Sequence, residues 1–80
     1  LTHFDLAVRL NKRYPAAYIN RGVALQDLGR YEEALADFEE SLKLERSAVG
    51  FTNRGILRRL TRHPELAVDD FSIALLLDKN

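Results

Sequence analysis

One stretch of the chain occurs twice, and its two copies lie 33 positions apart. The first copy is AYINRGVALQDLGRYEEALADFEES and the second is GFTNRGILRRLTRHPELAVDDFSIA. The triplet Asn-Arg-Gly at 20–22 recurs at 53–55, and the pair Asp-Phe at 37–38 recurs at 70–71. Repeats of this length are typical of stacked supersecondary units that share one continuous core. The repeat therefore predicts an array of hairpins rather than a single closed domain.

Apolar residues recur at three- and four-residue intervals along the whole chain, which predicts helices and no strands. Pro15 and Pro64 suit the first turn of a helix, where the missing N–H costs nothing. Gly29 is expected to end a helix in the left-handed conformation, and Ser47 to cap the start of the next helix. Very short turns pair the helices as antiparallel hairpins. The predicted helices span residues 1–12, 15–28, 31–44, 48–60 and 64–77.

Gly22 and Gly55 lie inside predicted helices, where glycine costs about 0.5–1 kcal/mol relative to alanine. The same cost is accepted in both copies of the repeat. We therefore expect another backbone to come close to the helix at these two positions.

The arginine before each glycine is matched by an aspartate in the second half of the same repeat. Arg21 and Asp37 in the first copy correspond to Arg54 and Asp70 in the second. We predict structural ion pairs between Arg21 and Asp37 and between Arg54 and Asp70, each across its own hairpin. The alternative is that all four side chains face water, where a pair contributes at most about 1 kcal/mol.

Composition narrows the classes of function. Twelve basic and twelve acidic residues cancel, so net charge does not favour nucleic acid or a membrane as the partner. The chain has no cysteine, which excludes disulfides and thiolate metal sites and fits the cytoplasm without establishing it. No apolar run reaches the ~18–20 residues of a membrane span, and no signal peptide is visible. Because the chain begins with Leu1 and contains no methionine, we expect it to be part of a longer protein.

Catalysis has little support in the sequence. His3 and His63 are the only histidines, and they lie on different predicted elements. The adjacent acids at 32–33 and at 69–70 point to different sides of a helix, which does not suit an acid–base pair. No metal-ligand spacing and no phosphate-binding loop occur. The chain is therefore predicted to be non-enzymatic and to need no cofactor.

Four arginines between residues 54 and 62 form a basic set, because spacings of four place three of them on one helical stripe. One interpretation is an anionic partner, such as an acidic peptide, a phosphorylated segment or RNA. The favoured interpretation is that they meet water or the acids of the helix at 31–45. Aromatic residues that could stack on bases are not interleaved with them, which disfavours RNA. The set consists of Arg54, Arg58, Arg59 and Arg62.

The ordered set of small and aromatic positions resembles the tetratricopeptide repeat. Residues 15–47 match that pattern well, residues 48–80 match it less closely, and residues 1–14 resemble the second helix of a preceding, incomplete repeat. The resemblance implies an all-α fold, with helix-turn-helix repeats stacked as a right-handed α-solenoid. About two and a half repeats of a longer array are expected. The matching positions are Tyr18, Gly22, Leu25, Leu28, Gly29, Tyr31, Ala34, Phe38, Ser41, then Phe51, Gly55, Ala67, Phe71, Ala74, and, before them, Phe4, Ala7 and Leu10.

The same resemblance implies a protein-interaction scaffold that holds an extended peptide or a partner helix on its concave face. Asn20 and Asn53 are the best single candidates, since an amide can both donate to and accept from a ligand backbone. The alternative is that each asparagine only supports the neighbouring helix. The predicted peptide-binding residues are Asn20, Val23, Gln26, Thr52, Asn53, Ile56 and Arg59.

Two further expectations follow from the resemblance. Relatives that bind chaperones grip a terminal carboxylate with lysine and asparagine, but Ile19, Val23 and Val49 stand at those places, so such a clamp is not expected. The chain could also be purely architectural or self-associate, because apolar residues at both of its ends predict exposed apolar surface. These residues are Leu1, Phe4, Leu6, Leu75, Leu76 and Leu77.

Overall fold

The computed structural model describes residues 1–78 as five α-helices. Within those residues there is no strand, which confirms the predicted all-helical repeat fold. The predicted second repeat ends with residues 79–80, which lie outside the described residues. In chain order the helices are α1 (Thr2–Leu10), α2 (Pro15–Asp27), α3 (Tyr31–Leu44), α4 (Ala48–Leu60) and α5 (Pro64–Leu77).

The helices begin where the sequence supplies starting signals. Pro15 and Pro64 occupy the first positions of α2 and α5, where proline needs no N–H partner. The hydroxyl of Ser47 accepts a hydrogen bond of 3.0 Å from the N–H of Gly50 and so caps α4. The start of each of these three helices is therefore determined by a residue at that point of the sequence.

Two helices, α2 and α4, end in the same type of turn. Gly29 has φ of 78° and Arg62, at the equivalent position, has φ of 68°. In each turn the next N–H, that of Arg30 at 2.9 Å or His63 at 2.7 Å, donates to the carbonyl oxygen five residues earlier. This is a Schellman-type ending, for which glycine is the preferred residue. Arg62 was not predicted to adopt it, because a side chain with a Cβ atom disfavours positive φ.

Each hairpin closes on an aromatic ring. A Cβ atom at Gly22 would lie 2.6 Å from Cε1 of Phe38, and one at Gly55 would lie 2.7 Å from Cε1 of Phe71. The expectation that another backbone comes close here is wrong, since the group that approaches is a phenyl ring of the paired helix. Glycine is needed because a methyl group would occupy the space of that ring.

The two hairpins share a core because α4 packs on α3 as well as on α5. Leu57 of α4 packs with Phe38 and Ala34 of α3 in one buried cluster. Leu42 of α3 lies over Gly50, where a Cβ atom would be 2.7 Å from the leucine Cδ2. The third glycine inside a helix therefore serves the contact between hairpins, a role that the sequence pattern did not indicate.

Apolar surface is exposed on the two outer helices, as expected for the ends of the chain. Leu75 of α5 is 74% exposed, whereas Leu42, its equivalent on α3, is 8% exposed. On α1, Val8 is buried while Leu6 and Leu10 are exposed. The same leucine position is therefore core in one hairpin and surface in the other.

Candidate peptide-binding face

The predicted ligand residues of the first repeat lie on the side of α2 that faces away from its partner helix. Asn20 and Val23 are exposed and Gln26 is partly buried, whereas Gly22 and Leu25 of the same helix are buried. This division follows from the helical period of 3.6 residues, which separates the two sets around the axis. The outward face of α2 offers two amide groups and one apolar side chain.

The predicted ligand residues of the second repeat occupy the same face of α4. Thr52 and Arg59 are exposed, and Asn53 and Ile56 are partly buried. The Asn53 amide nitrogen donates a hydrogen bond of 2.9 Å to the carbonyl oxygen of Val49 in its own helix. Its amide oxygen and one N–H bond remain available, since an amide group has two donors and one acceptor oxygen.

Helices α2 and α4, which carry the two sets of predicted residues, are in contact with each other. A shallow pocket of about 230 Å³ adjoins the second face and is lined in part by Thr52 and Asn53. The remaining lining residues are Ala48, Val49 and Asp78. The candidate face is thus an open surface along two neighbouring helices, with one indentation at its end.

The first predicted ion pair is a two-pronged contact inside the hairpin of α2 and α3. Nε of Arg21 donates to Oδ2 of Asp37 at 2.8 Å, and Nη2 donates to Oδ1 at 2.8 Å. Nη1 of Arg21 also donates to Asp5 of α1 at 3.3 Å. The hydrogen bond from the Asp37 carboxylate raises the pKa of Arg21 above its ordinary value, so the guanidinium remains cationic. Asp5 was missed because no spacing rule relates α1 to this hairpin.

The second predicted ion pair has the same geometry in the hairpin of α4 and α5. Nε and Nη2 of Arg54 donate to the two carboxylate oxygens of Asp70 at 3.1 and 2.8 Å. Arg58 adds a third hydrogen bond of 3.0 Å to Oδ2 of the same carboxylate. The Asp70 side chain is 1% exposed, so it is a buried anion held by two cations. The four-residue spacing between Arg54 and Arg58 is the one sequence signal that could have indicated this.

The comparison with known families agrees with this geometry. The family profile described as tetratricopeptide repeat matches residues 15–47, which contain the whole hairpin of α2 and α3. This chain therefore carries one hairpin that matches the tetratricopeptide repeat. Members of that family are typically non-catalytic protein–protein interaction modules.

The curated relatives match this chain over only part of their own length. Human tetratricopeptide repeat protein 6 is 28% identical over 95% of this chain and 15% of its own length. The Hsp70-Hsp90 organizing protein of Triticum aestivum is 27% identical over the whole chain and 14% of its own length. An uncharacterized protein of Methanocaldococcus jannaschii is 44% identical over 58% of this chain and 54% of its own length. The chain therefore spans about a seventh of the first two relatives.

The four arginines of the basic set fall into two groups, one bound inside the hairpin and one exposed. Arg54 and Arg58 both bind Asp70 within their own hairpin, whereas Arg59 and Arg62 are exposed. The expectation that the set meets water or the acids of the preceding helix is therefore wrong for Arg58, whereas Arg54 forms the pair with Asp70 that was predicted separately. Because these two arginines balance a buried carboxylate, the interpretation of the whole stripe as an extended site for RNA is weakened.

Within residues 1–78, none of the five helices combines the length and the hydropathy that crossing a bilayer requires.

Proposed function

We propose that this tetratricopeptide chain binds an extended peptide, or one helix of a partner protein, across the outward faces of α2 and α4. The observation that carries the proposal is the pair of asparagines, Asn20 and Asn53, at equivalent positions of two helices in contact. Neither position is needed for the hairpin core, which is built from the opposite face of each helix. A recurrent amide outside the core suits a role in recognition.

The chemistry of the face suits a peptide backbone with mixed side chains. The amide oxygen of Asn53 can accept a hydrogen bond from a peptide N–H, and the amide group of Asn20 can both donate and accept. Val23 and Ile56, each three residues after the asparagine of its own helix, offer apolar contact beside the amides. Arg59 can pair with an acidic side chain of the ligand, because it is exposed and outside the ion-pair cluster.

We further propose that the ligand need not end in a free carboxylate. The wheat relative is named for organizing Hsp70 and Hsp90, but Ile19, Val23 and Val49 stand where a carboxylate clamp of this family has lysine or asparagine. Three apolar side chains cannot neutralise a terminal carboxylate. An internal peptide segment is therefore the proposed ligand, and the proposed function is scaffolding without catalysis or a cofactor.

The repeat boundaries enter the proposal as well. We assign residues 15–47 and the segment from residue 48 onward to two repeats, and residues 1–14 to the position of a second repeat helix. The matching Arg–Asp pairs of the two hairpins support the first assignment. The assignment of residues 1–14 is supported by the burial of Val8 against α2, because Leu42 of α3 is buried against α4 in a similar way.

Affinity capture with a matched pair of variants tests the proposed face. The double substitution Asn20→Ala and Asn53→Ala removes both amides, whereas Glu39→Ala with Ser72→Ala changes two exposed positions, also 33 apart, on α3 and α5. A partner bound to this face should be lost by at least about tenfold with the first variant and retained with the second. Equal retention of every captured protein by both variants would contradict the proposal.

A second candidate function is architectural, with self-association through α5. The observation that favours it is the exposure of Leu75, Leu76 and Val68 on one outer helix. Exposed apolar side chains that are concentrated on one element mark association surfaces, whereas apolar residues scattered singly over a surface do not. This function makes no use of Asn20 or Asn53, so the variants above separate the two candidates.

A further inference from the structure

The second repeat has a cavity of its own, the second cavity, which lies away from the candidate face. It has a volume of about 310 Å³ and is formed where the start of α3, the end of α4 and the start of α5 meet. On α4 and its C-cap residue the wall consists of Leu57, Arg58 and Thr61, whose side of the helix is opposite that of Thr52 and Ile56. The remaining lining residues are Tyr31, Glu32, Leu35, His63 and Leu66. None of the predicted peptide-binding residues belongs to this set.

The corresponding place in the first repeat is a different kind of surface. A cavity of about 380 Å³ lies there and includes Arg30 and Glu33, whose equivalents in the second repeat are His63 and Leu66. Arg30 donates to Glu33 through two hydrogen bonds of 2.9 and 2.7 Å, and this contact lowers the pKa of Glu33. The cavity of the first repeat is thus lined in part by an ion pair, whereas the cavity of the second repeat has in its lining a leucine that is 39% exposed.

The second cavity also has unused cationic donors. Arg58 gives one N–H to Asp70, and a guanidinium group carries five. Asp70 neutralises only one of its two arginine partners, so the cluster of Arg54, Arg58 and Asp70 carries a net positive charge beside the cavity. Exposed Arg62 lies in the turn between two of the lining residues. Glu32 is the single acid among those residues, so the local balance favours an anionic partner.

We propose that this cavity binds a large apolar side chain of a partner peptide with acidic residues next to it. The apolar side chain packs against Leu35, Leu57 and Leu66, since burial of such a group is the main favourable term available here. A neighbouring carboxylate accepts hydrogen bonds from the free N–H groups of Arg58. The site lies apart from the Asn20–Asn53 face and does not depend on it.

Titration with labelled hexapeptides tests the proposal on the whole chain. The probe is Glu-Asp-Leu-Phe-Asp-Glu, and its two controls are Lys-Lys-Leu-Phe-Lys-Lys and Glu-Asp-Ala-Ala-Asp-Glu. Fluorescence anisotropy should show the probe binding at least about tenfold more tightly than either control. Amide chemical shifts should move at Leu35, Leu57 and Leu66. Equal binding of the basic control, or no binding of the probe up to about 1 mM, would overturn the proposal.

Variants that copy the first repeat complete the test. His63→Arg with Leu66→Glu introduces the pair found at Arg30 and Glu33, which follows the same type of turn in the first repeat. This variant should bind the probe at least about tenfold more weakly, and the milder Leu66→Ser should weaken binding in the same direction. The Asn20→Ala and Asn53→Ala variant should bind the probe unchanged. Loss of probe binding in the asparagine variant alone would place the peptide on the other face and overturn the assignment.

Discussion

At the scale of single residues, the buried aspartates decide how each hairpin is held together. Asp37 and Asp70 are buried acids, and burial of an unpaired carboxylate is costly. Each is compensated by an arginine whose planar fork meets both carboxylate oxygens. The arginine that precedes each glycine is therefore a structural partner in its hairpin rather than a group free to bind a ligand.

Removal of Asp70 should destabilise the chain strongly. Asp70→Ala leaves Arg54 and Arg58, which are largely buried, without their shared anion, and breaking such an arrangement costs about 3 kcal/mol. The adjacent Asp69 is exposed, so Asp69→Ala should change the free energy of unfolding by less than about 0.5 kcal/mol. Urea unfolding followed by circular dichroism measures both. Similar values for the two variants would show that the buried cluster does not stabilise the hairpin.

At the scale of helices and turns, the two hairpins share one type of turn, which has an unfavourable residue in the second hairpin. The first helix of each hairpin is followed, two residues after its end, by a residue at positive φ, which is glycine at 29 and arginine at 62. The left-handed conformation raises the free energy of a residue with a Cβ atom by about 1–2 kcal/mol. The surrounding hydrogen bonds are retained in the second hairpin, so the fold tolerates this cost rather than changing the turn.

Arg62→Gly should therefore stabilise the chain by about 1 kcal/mol, because the turn would no longer strain a side chain. The reciprocal substitution, Gly29→Arg, should destabilise it by a similar amount, since it introduces the same strain in the first hairpin. Thermal unfolding of both variants against the parent chain measures the effects. A lower melting temperature for Arg62→Gly would mean that the arginine side chain makes a stabilising contact that outweighs the strain.

At the scale of the whole molecule, two hairpins and one additional helix form a flat body of 32 × 29 × 15 Å. In this arrangement the first hairpin is covered by the next helix of the stack, since Leu42 of α3 lies buried against α4. The equivalent Leu75 of α5 is left on the surface. Stability of such a stack is roughly a sum of hairpins and the interfaces between them.

The two equivalent leucines should consequently differ in their cost of removal. Leu42→Ala should lower the free energy of unfolding by about 2–3 kcal/mol, because it empties space in the contact between hairpins. Leu75→Ala should change it by less than about 0.5 kcal/mol. Chemical denaturation at low protein concentration compares them.

The Leu75→Ala variant also tests self-association. Sedimentation velocity at increasing concentration should show weaker association for Leu75→Ala than for the parent chain if α5 is the contact surface. Unchanged association would remove α5 from that role. A large loss of monomer stability in Leu75→Ala would contradict the stacking argument itself.

Local sequence determined the elements of this protein. Prolines, a capping serine and the helical period predict the five helices to within two residues at each end, because these signals act within one or two turns of the chain. The repeat itself indicated that Arg21 and Asp37 have counterparts in Arg54 and Asp70. The assignment of Asn20 and Asn53 to a ligand face remains a prediction from resemblance.

Tertiary structure decided which groups meet. Only the packing of helices shows that a phenyl ring, rather than a backbone, approaches Gly22, and that Asp5 and Arg58 join the predicted pairs. The left-handed Arg62 is likewise set by the hairpin it closes, against the preference of arginine itself. The physical reason is that these contacts join different helices. A periodic pattern determines which side of a helix is buried, but not which atoms of a neighbouring helix it meets.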